Sequence, residues 1–90
     1  MKVENMVSQK GNDIANQFII RSTEGKTFQS YNSTICIYTG DKLKLFSDWD
    51  YSRTTLKYFK EFINDETCFT YEDKAQWEKE IKNNENIEVL

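Results

Sequence analysis

The sequence predicts an α+β fold: a small antiparallel sheet of two hairpins, with short terminal strands as an option, packed by two C-terminal helices. Three observations predict it. Through residues 17–46 apolar side chains fall in short β-type runs around glycine-bearing turns. After Ser47 the apolar spacing lengthens to the helical period of about 3.6 residues. The chain has 90 residues and 14% aromatic content, enough for one core with no room for a second. The organisation is therefore one domain over 1–90, with 1–46 mainly strands, a helix over 52–64 and another over 70–83.

Taken in order, residues 1–16 are polar, and a short strand at Lys2–Val7 leads into a loop where Gly11-Asn12-Asp13 signals a turn. Phe18-Ile19-Ile20 and Thr27-Phe28 flank Thr23-Glu24-Gly25. A two-residue turn would set Ile20 against Gln29 and split the apolar residues between faces. A three-residue loop with Gly25 left-handed gathers Phe18, Ile20 and Phe28 instead. The same argument at Thr39-Gly40-Asp41 puts Ile35, Ile37, Leu43 and Leu45 on one face. Cys36, Tyr38, Lys42, Lys44 and Phe46 then take the other.

Leu56, Phe59, Phe62 and Ile63, joined by Tyr58, form the apolar arc of the first helix, with Asp50 or Ser52 as its N-cap. This arc is expected to bury against Phe18, Ile20, Ile35 and Ile37. The second helix is expected to start at Thr70 as N-cap, with Glu72 and Asp73 in its first turn, and to dock at an edge through Trp77 and Ile81. Glu78 and Lys82 are spaced for an ion pair. Ile87–Leu90 offers a last short strand.

Net charge is −3, unevenly placed: residues 1–60 hold nine basic and six acidic side chains, residues 61–90 three and nine. The halves are thus +3 and −6, an asymmetry that speaks to partners rather than to fold. No apolar run suits a signal peptide or approaches the roughly 18 residues of a membrane span, so a cytoplasmic location is expected and no membrane partner. There Cys36 and Cys68 should stay reduced, and without histidine they make no conventional zinc site. No metal and no cofactor are expected.

Catalytic motifs are missing: no histidine, no glycine-rich phosphate loop, no Cys-x-x-Cys and no Gly-x-Ser-x-Gly. An enzyme is not expected. Two segments are candidates for partner binding. One is the corner Asp48-Trp49-Asp50-Tyr51-Ser52-Arg53, of which Asp48, Trp49, Tyr51 and Arg53 are the candidates, since Trp, Tyr and Arg dominate interface energetics. The other is the acidic set Glu72, Asp73 and Glu80, which a helical wheel places together on the exposed side.

The segments Asn16-Gln17-Phe18-Ile19-Ile20, Phe28-Gln29-Ser30-Tyr31-Asn32-Ser33 and Trp49-Asp50-Tyr51-Ser52-Arg53-Thr54-Thr55-Leu56-Lys57-Tyr58 resemble a family of small uncharacterised proteins encoded by phages and mobile elements of low-GC bacteria. The resemblance spans about residues 1–63 and implies no catalytic residues. The family's final segment is typically shorter and less acidic than residues 64–90. Lys, Asn and Ile make up 26 of 90 residues, which agrees with AT-rich coding.

The resemblance implies a non-catalytic, anti-CRISPR-like inhibitor of a host nucleic-acid-targeting nuclease, working sterically and partly through its acids inside a bacterial host cell. Its partner would be a host protein, such as a CRISPR-associated nuclease, with nucleic acid not expected as direct ligand. Two alternatives stay open. One is a nucleic-acid-binding accessory protein using Arg53, Lys57, Lys60, Lys42 and Lys44; the other is a self-associating structural or regulatory domain, such as a homodimer.

Overall fold

The computed structural model describes residues 1–90. Six strands form one sheet in sequence order: β1 (Lys2–Val7), β2 (Asp13–Arg21), β3 (Lys26–Ser30), β4 (Ser33–Thr39), β5 (Lys42–Leu45) and β6 (Ile87–Val89). The first five pair antiparallel, and β6 joins β5 in parallel. That parallel pair is reached through a 3₁₀ turn (Ser47–Asp50), α1 (Arg53–Glu66) and α2 (Lys74–Asn83). A parallel neighbour needs such a long crossover, whereas the antiparallel pairs close by short turns.

Both hairpins sit one residue out of the expected register. β2 and β3 pair Arg21 with Lys26 and Ile19 with Phe28, which leaves a four-residue connection, Ser22–Gly25. Gly25 is not left-handed as expected. It is glycine because a Cβ there would overlap the carbonyl oxygen of Tyr38. In the second hairpin Thr39 pairs with Lys42 around Gly40-Asp41, with Gly40 at φ 61°, a two-residue turn that puts glycine first. A one-residue slip turns one strand of a pair over relative to the other, and here β2 and β4 turn over while Phe28, Leu43 and Leu45 keep the core face. The core face is therefore Ile19, Phe28, Cys36 and Leu45 in one cross-strand row, flanked by Leu43 and Ile87.

Ile35 escapes the reversal because β4 bulges beside it: Cys36 pairs with Phe28 and Thr34 with Gln29, so Ile35 is the extra residue and is buried next to Cys36. Phe18, Ile20 and Ile37, expected in the core, lie on the opposite face with Val3 and Thr27. They are half-buried by their neighbours. No helix covers them, since α1 and α2 both pack on the other side.

Helix α1 begins where Ser52 caps it, its Oγ accepting from the Thr55 N–H at 3.1 Å. Its buried face is Thr55, Phe59, Phe62 and Ile63, with Leu56 and Tyr58 at the margins rather than the centre. Phe62 stacks on Phe28 at 5.7 Å, which fixes the helix to the middle of the sheet. The C-terminal end of α1 is tied by charge. Arg21 grips Glu66 through two nitrogens at 2.8 and 3.0 Å, and Lys26 reaches the same carboxylate at 3.2 Å.

Helix α2 starts later than expected, with Asp73 rather than Thr70 as N-cap; its carboxylate accepts from the Gln76 N–H at 2.8 Å. Residues 67–73 run in extended, irregular backbone and place Phe69 and Tyr71 in the core. Trp77 is fully buried, meeting Phe59 at 5.7 Å and Tyr71 at 5.6 Å, so α2 docks through an aromatic cluster and not merely at an edge. Glu78 and Lys82 form no ion pair.

Candidate functional site

Two turns meet at one end of the sheet. The β3–β4 turn is Tyr31-Asn32, closed by pairing of Ser30 with Ser33. Tyr31 sits at φ 55°, a left-handed conformation that costs a residue with a Cβ about 1 kcal/mol or more. Two hydrogen bonds hold it there: its N–H donates to the Asn16 carbonyl at 2.7 Å, and its carbonyl accepts from Gln29 Nε2 at 2.9 Å. Asn16 is itself left-handed, at φ 64°. The Tyr31 side chain is thereby presented outward, 45% exposed.

The second turn is the 3₁₀ corner. Trp49 is driven inward onto Phe59, ring centroids 5.6 Å apart, and that inward anchor leaves Asp48, Asp50 and Tyr51 facing out. Tyr51 is 73% exposed. Behind them the Thr55 hydroxyl lies 2.9 Å from that of Ser30 and accepts from Ser52 at 3.1 Å. This buried hydroxyl chain fixes the start of α1 against the end of β3, and so holds the two turns at a set separation.

Between the turns lies a cavity of about 250 Å³. Buried Ser30, Ile35 and Thr55 form its floor; Tyr31, Asn32, Ser33, Asp48 and Tyr51 form its rim. Asp48 is the sole charged residue among these eight. The arrangement offers two aromatic rings, one carboxylate and several hydroxyl and amide groups over a floor in which Ile35 is the apolar member. It can recognise a side chain; it carries no activated nucleophile.

The sequence-derived residues separate in space. Asp48 and Tyr51 share the cavity, while Trp49 is largely buried and does not line it. Arg53 is exposed on the first turn of α1 but does not line it. Glu72 and Asp73 precede α2 instead of occupying its first turn, with Asp73 engaged as the cap. The start of α2 abuts the corner, because Lys74 Nζ lies 3.2 Å from Asp50 and 5.9 Å from the centre of the Trp49 ring. Glu80, expected exposed, is half-buried and accepts from Asn84 at 2.8 Å. It sits roughly 10 Å along the helix from Asp73, two turns on and on the same side, and the two acids line one shallow surface depression with Gln76 and Lys79.

Sequence reasoning passed over Tyr31, Asn32 and Ser33 as binding residues. They entered only through the segment that carries the resemblance, and the signal that could have flagged Tyr31, a bulky residue at a left-handed position, is a backbone fact. The five cations of the nucleic-acid alternative are also divided. Lys42 and Lys44 lie on the uncovered sheet face, while Arg53, Lys57 and Lys60 lie on the outer surface of α1, across the molecule.

Both cysteines are free, Cys36 buried and Cys68 exposed. Burial pushes the Cys36 thiol far above its ordinary range, which removes it as a nucleophile. No three His, Cys, Asp or Glu side chains converge as metal ligands would. No helix is long and apolar enough to cross a membrane.

The chain belongs to a family of unknown function, DUF8033, whose family model matches residues 1–79. The match covers the sheet through β5, both turns of the cavity, α1 and the first part of α2. No curated protein and no solved structure matches the chain.

Proposed function

We propose that this chain is a non-catalytic protein-binding module whose contact surface is the corner formed by Tyr31, Asn32, Asp48 and Tyr51. The observation that carries the reading is the cavity between the two turns, where a strained tyrosine and a 73%-exposed one flank an unpaired carboxylate. Strain retained at an exposed position, over-determined by neighbouring hydrogen bonds, suits a surface kept for recognition. Tyrosines supply large, rigid contact area at low entropic cost.

The finer reading is an inhibitor of a host nucleic-acid-targeting nuclease, of the anti-CRISPR kind, encoded in phage or other mobile DNA. Its support is the resemblance to mobile-element proteins and the −6 balance of residues 61–90, which suits a partner whose working surface is basic. The steric block would come from the corner, with acids such as the exposed Glu72 adding steering.

Capture from a low-GC bacterial lysate, with and without nuclease treatment, tests this reading. A defence nuclease recovered independently of nucleic acid, and slowed in a cleavage assay by the wild-type chain, is the expected result. The Asp48→Asn, Tyr51→Ala double variant should lose capture while melting normally. Glu72→Lys should slow association at low salt only, because exposed charges are screened beyond about 10 Å at 0.1 M. A double variant that captures and inhibits as wild type does would refute the corner as the contact surface.

A further inference from the structure

From the cavity at the corner we infer a specific occupant: the side chain of an arginine on the partner protein. The inference rests on the protein-binding reading above and names what that site recognises.

Charge decides the class of ligand first. Among the eight residues lining the cavity Asp48 is the only one charged, and no lysine or arginine is among them. The start of α1 lies near and would by itself favour an anion, but its Ser52 cap already satisfies the Thr55 N–H. A helix end amounts to about half a charge at most, against the full charge of the carboxylate. Asp48 is in no ion pair, so its charge is free for a ligand. The cavity therefore favours a cation over a phosphate or carboxylate.

Shape and chemistry then choose among cations. Tyr31 and Tyr51 are exposed at the rim, and a guanidinium stacks on tyrosine rings while a carboxylate takes it in a planar, two-bond grip. Its five donors also match the acceptors at hand: the Asn32 amide oxygen, the Ser33 hydroxyl and the tyrosine oxygens. An ammonium is a point charge with three donors and uses less of this surface. Ile35, the apolar part of the floor, suits the methylene stem. At about 250 Å³ the space holds one such side chain and little more.

The test titrates the ¹⁵N-labelled full chain with N-acetyl-arginine N-methylamide. Parallel titrations use the capped lysine, the capped citrulline as neutral isostere, inorganic phosphate and methyl glucoside. The expected result is saturable shifts confined to amides of residues 30–35 and 47–55, strongest with arginine, weaker with lysine and lost with citrulline. Asp48→Asn should weaken the arginine response by about fivefold, with an unchanged thermal melt. No shift at those amides, an equal response to citrulline, or saturation by phosphate or methyl glucoside instead would overturn the inference. The two readings fail separately. If the Asp48→Asn, Tyr51→Ala variant loses capture while capped arginine leaves these amides unmoved, only the arginine assignment falls; if that variant still captures the partner, the contact surface itself is wrong.

Discussion

Cys36 and Cys68 differ in their surroundings and hence in their chemistry. Cys36 sits at the centre of the cross-strand row, fully covered, whereas Cys68 is exposed just beyond α1, where its N–H donates to the Tyr38 hydroxyl at 3.2 Å. A thiol reagent added to native protein should titrate one cysteine quickly and the second only as the fold opens. Two fast thiols would contradict the burial of Cys36. Gln17 shows the opposite problem: it is fully buried, and neither side-chain amide atom bonds to a protein group. An unpaired buried amide costs roughly 1 to 3 kcal/mol, so Gln17→Met is expected to raise the melting temperature. A fall would mean that the amide is satisfied in solution. The sequence could not announce the burial of Gln17, which reads as the polar partner in an alternating strand until the register is known.

Most of the elements were legible because each has a local cause. The strand at Lys2–Val7, the helix capped at Ser52 and the short closing strand all follow from period and capping chemistry. Register was not legible. β2 carries apolar residues on both faces, Phe18 and Ile20 on one and Ile19 on the other, so either assignment buries something. The choice is made by long-range contacts: the close approach of Gly25 to Tyr38, and the Arg21 and Lys26 grip on Glu66. Adjacent substitutions separate the two registers. Ile19→Ala should cost about 2 to 5 kcal/mol, as for a core deletion, and Ile20→Ala about 1 kcal/mol or less. Urea denaturation of both checks this, and a larger loss for Ile20→Ala would restore the register expected from the sequence.

The grip on Glu66 also makes the join between sheet and helix sensitive to acid. Hydrogen bonds from Arg21 first, then Lys26, hold the Glu66 carboxyl below its ordinary value of 4.5. A carboxyl whose folded pKa is depressed adds stability that is present above the ordinary value and is lost as pH falls through the lowered one. Stability should therefore decline as pH drops below about 4.5, and Glu66→Gln should flatten part of that decline while costing about 1 to 2 kcal/mol at neutral pH. A variant whose acid profile overlays that of wild type would show that the contact does not hold the helix end.

At the scale of the whole molecule, both helices cover one side of a six-stranded sheet and leave the other to Val3, Phe18, Ile20, Thr27 and Ile37. The candidate site does not lie on that open face. It lies at the sheet's end, where the β3–β4 turn and the 3₁₀ corner converge. Half of that site could be read from the sequence, since Asp48 and Tyr51 stand out in an aromatic, acidic corner. The other half, Tyr31 to Ser33, lies 15 to 17 residues upstream of Asp48, and only the fold brings the two together. Of the acids in the last third of the chain, Asp73 also caps α2 and Glu80 accepts from Asn84, and both keep their charge.

Hydrogen–deuterium exchange of the captured complex against the free protein measures where a bound partner covers the chain. Protection over residues 30–35 and 47–55 is the predicted result. Protection of Val3, Phe18, Ile20 and Ile37, or of α2, with the corner exchanging as in the free chain, would contradict it.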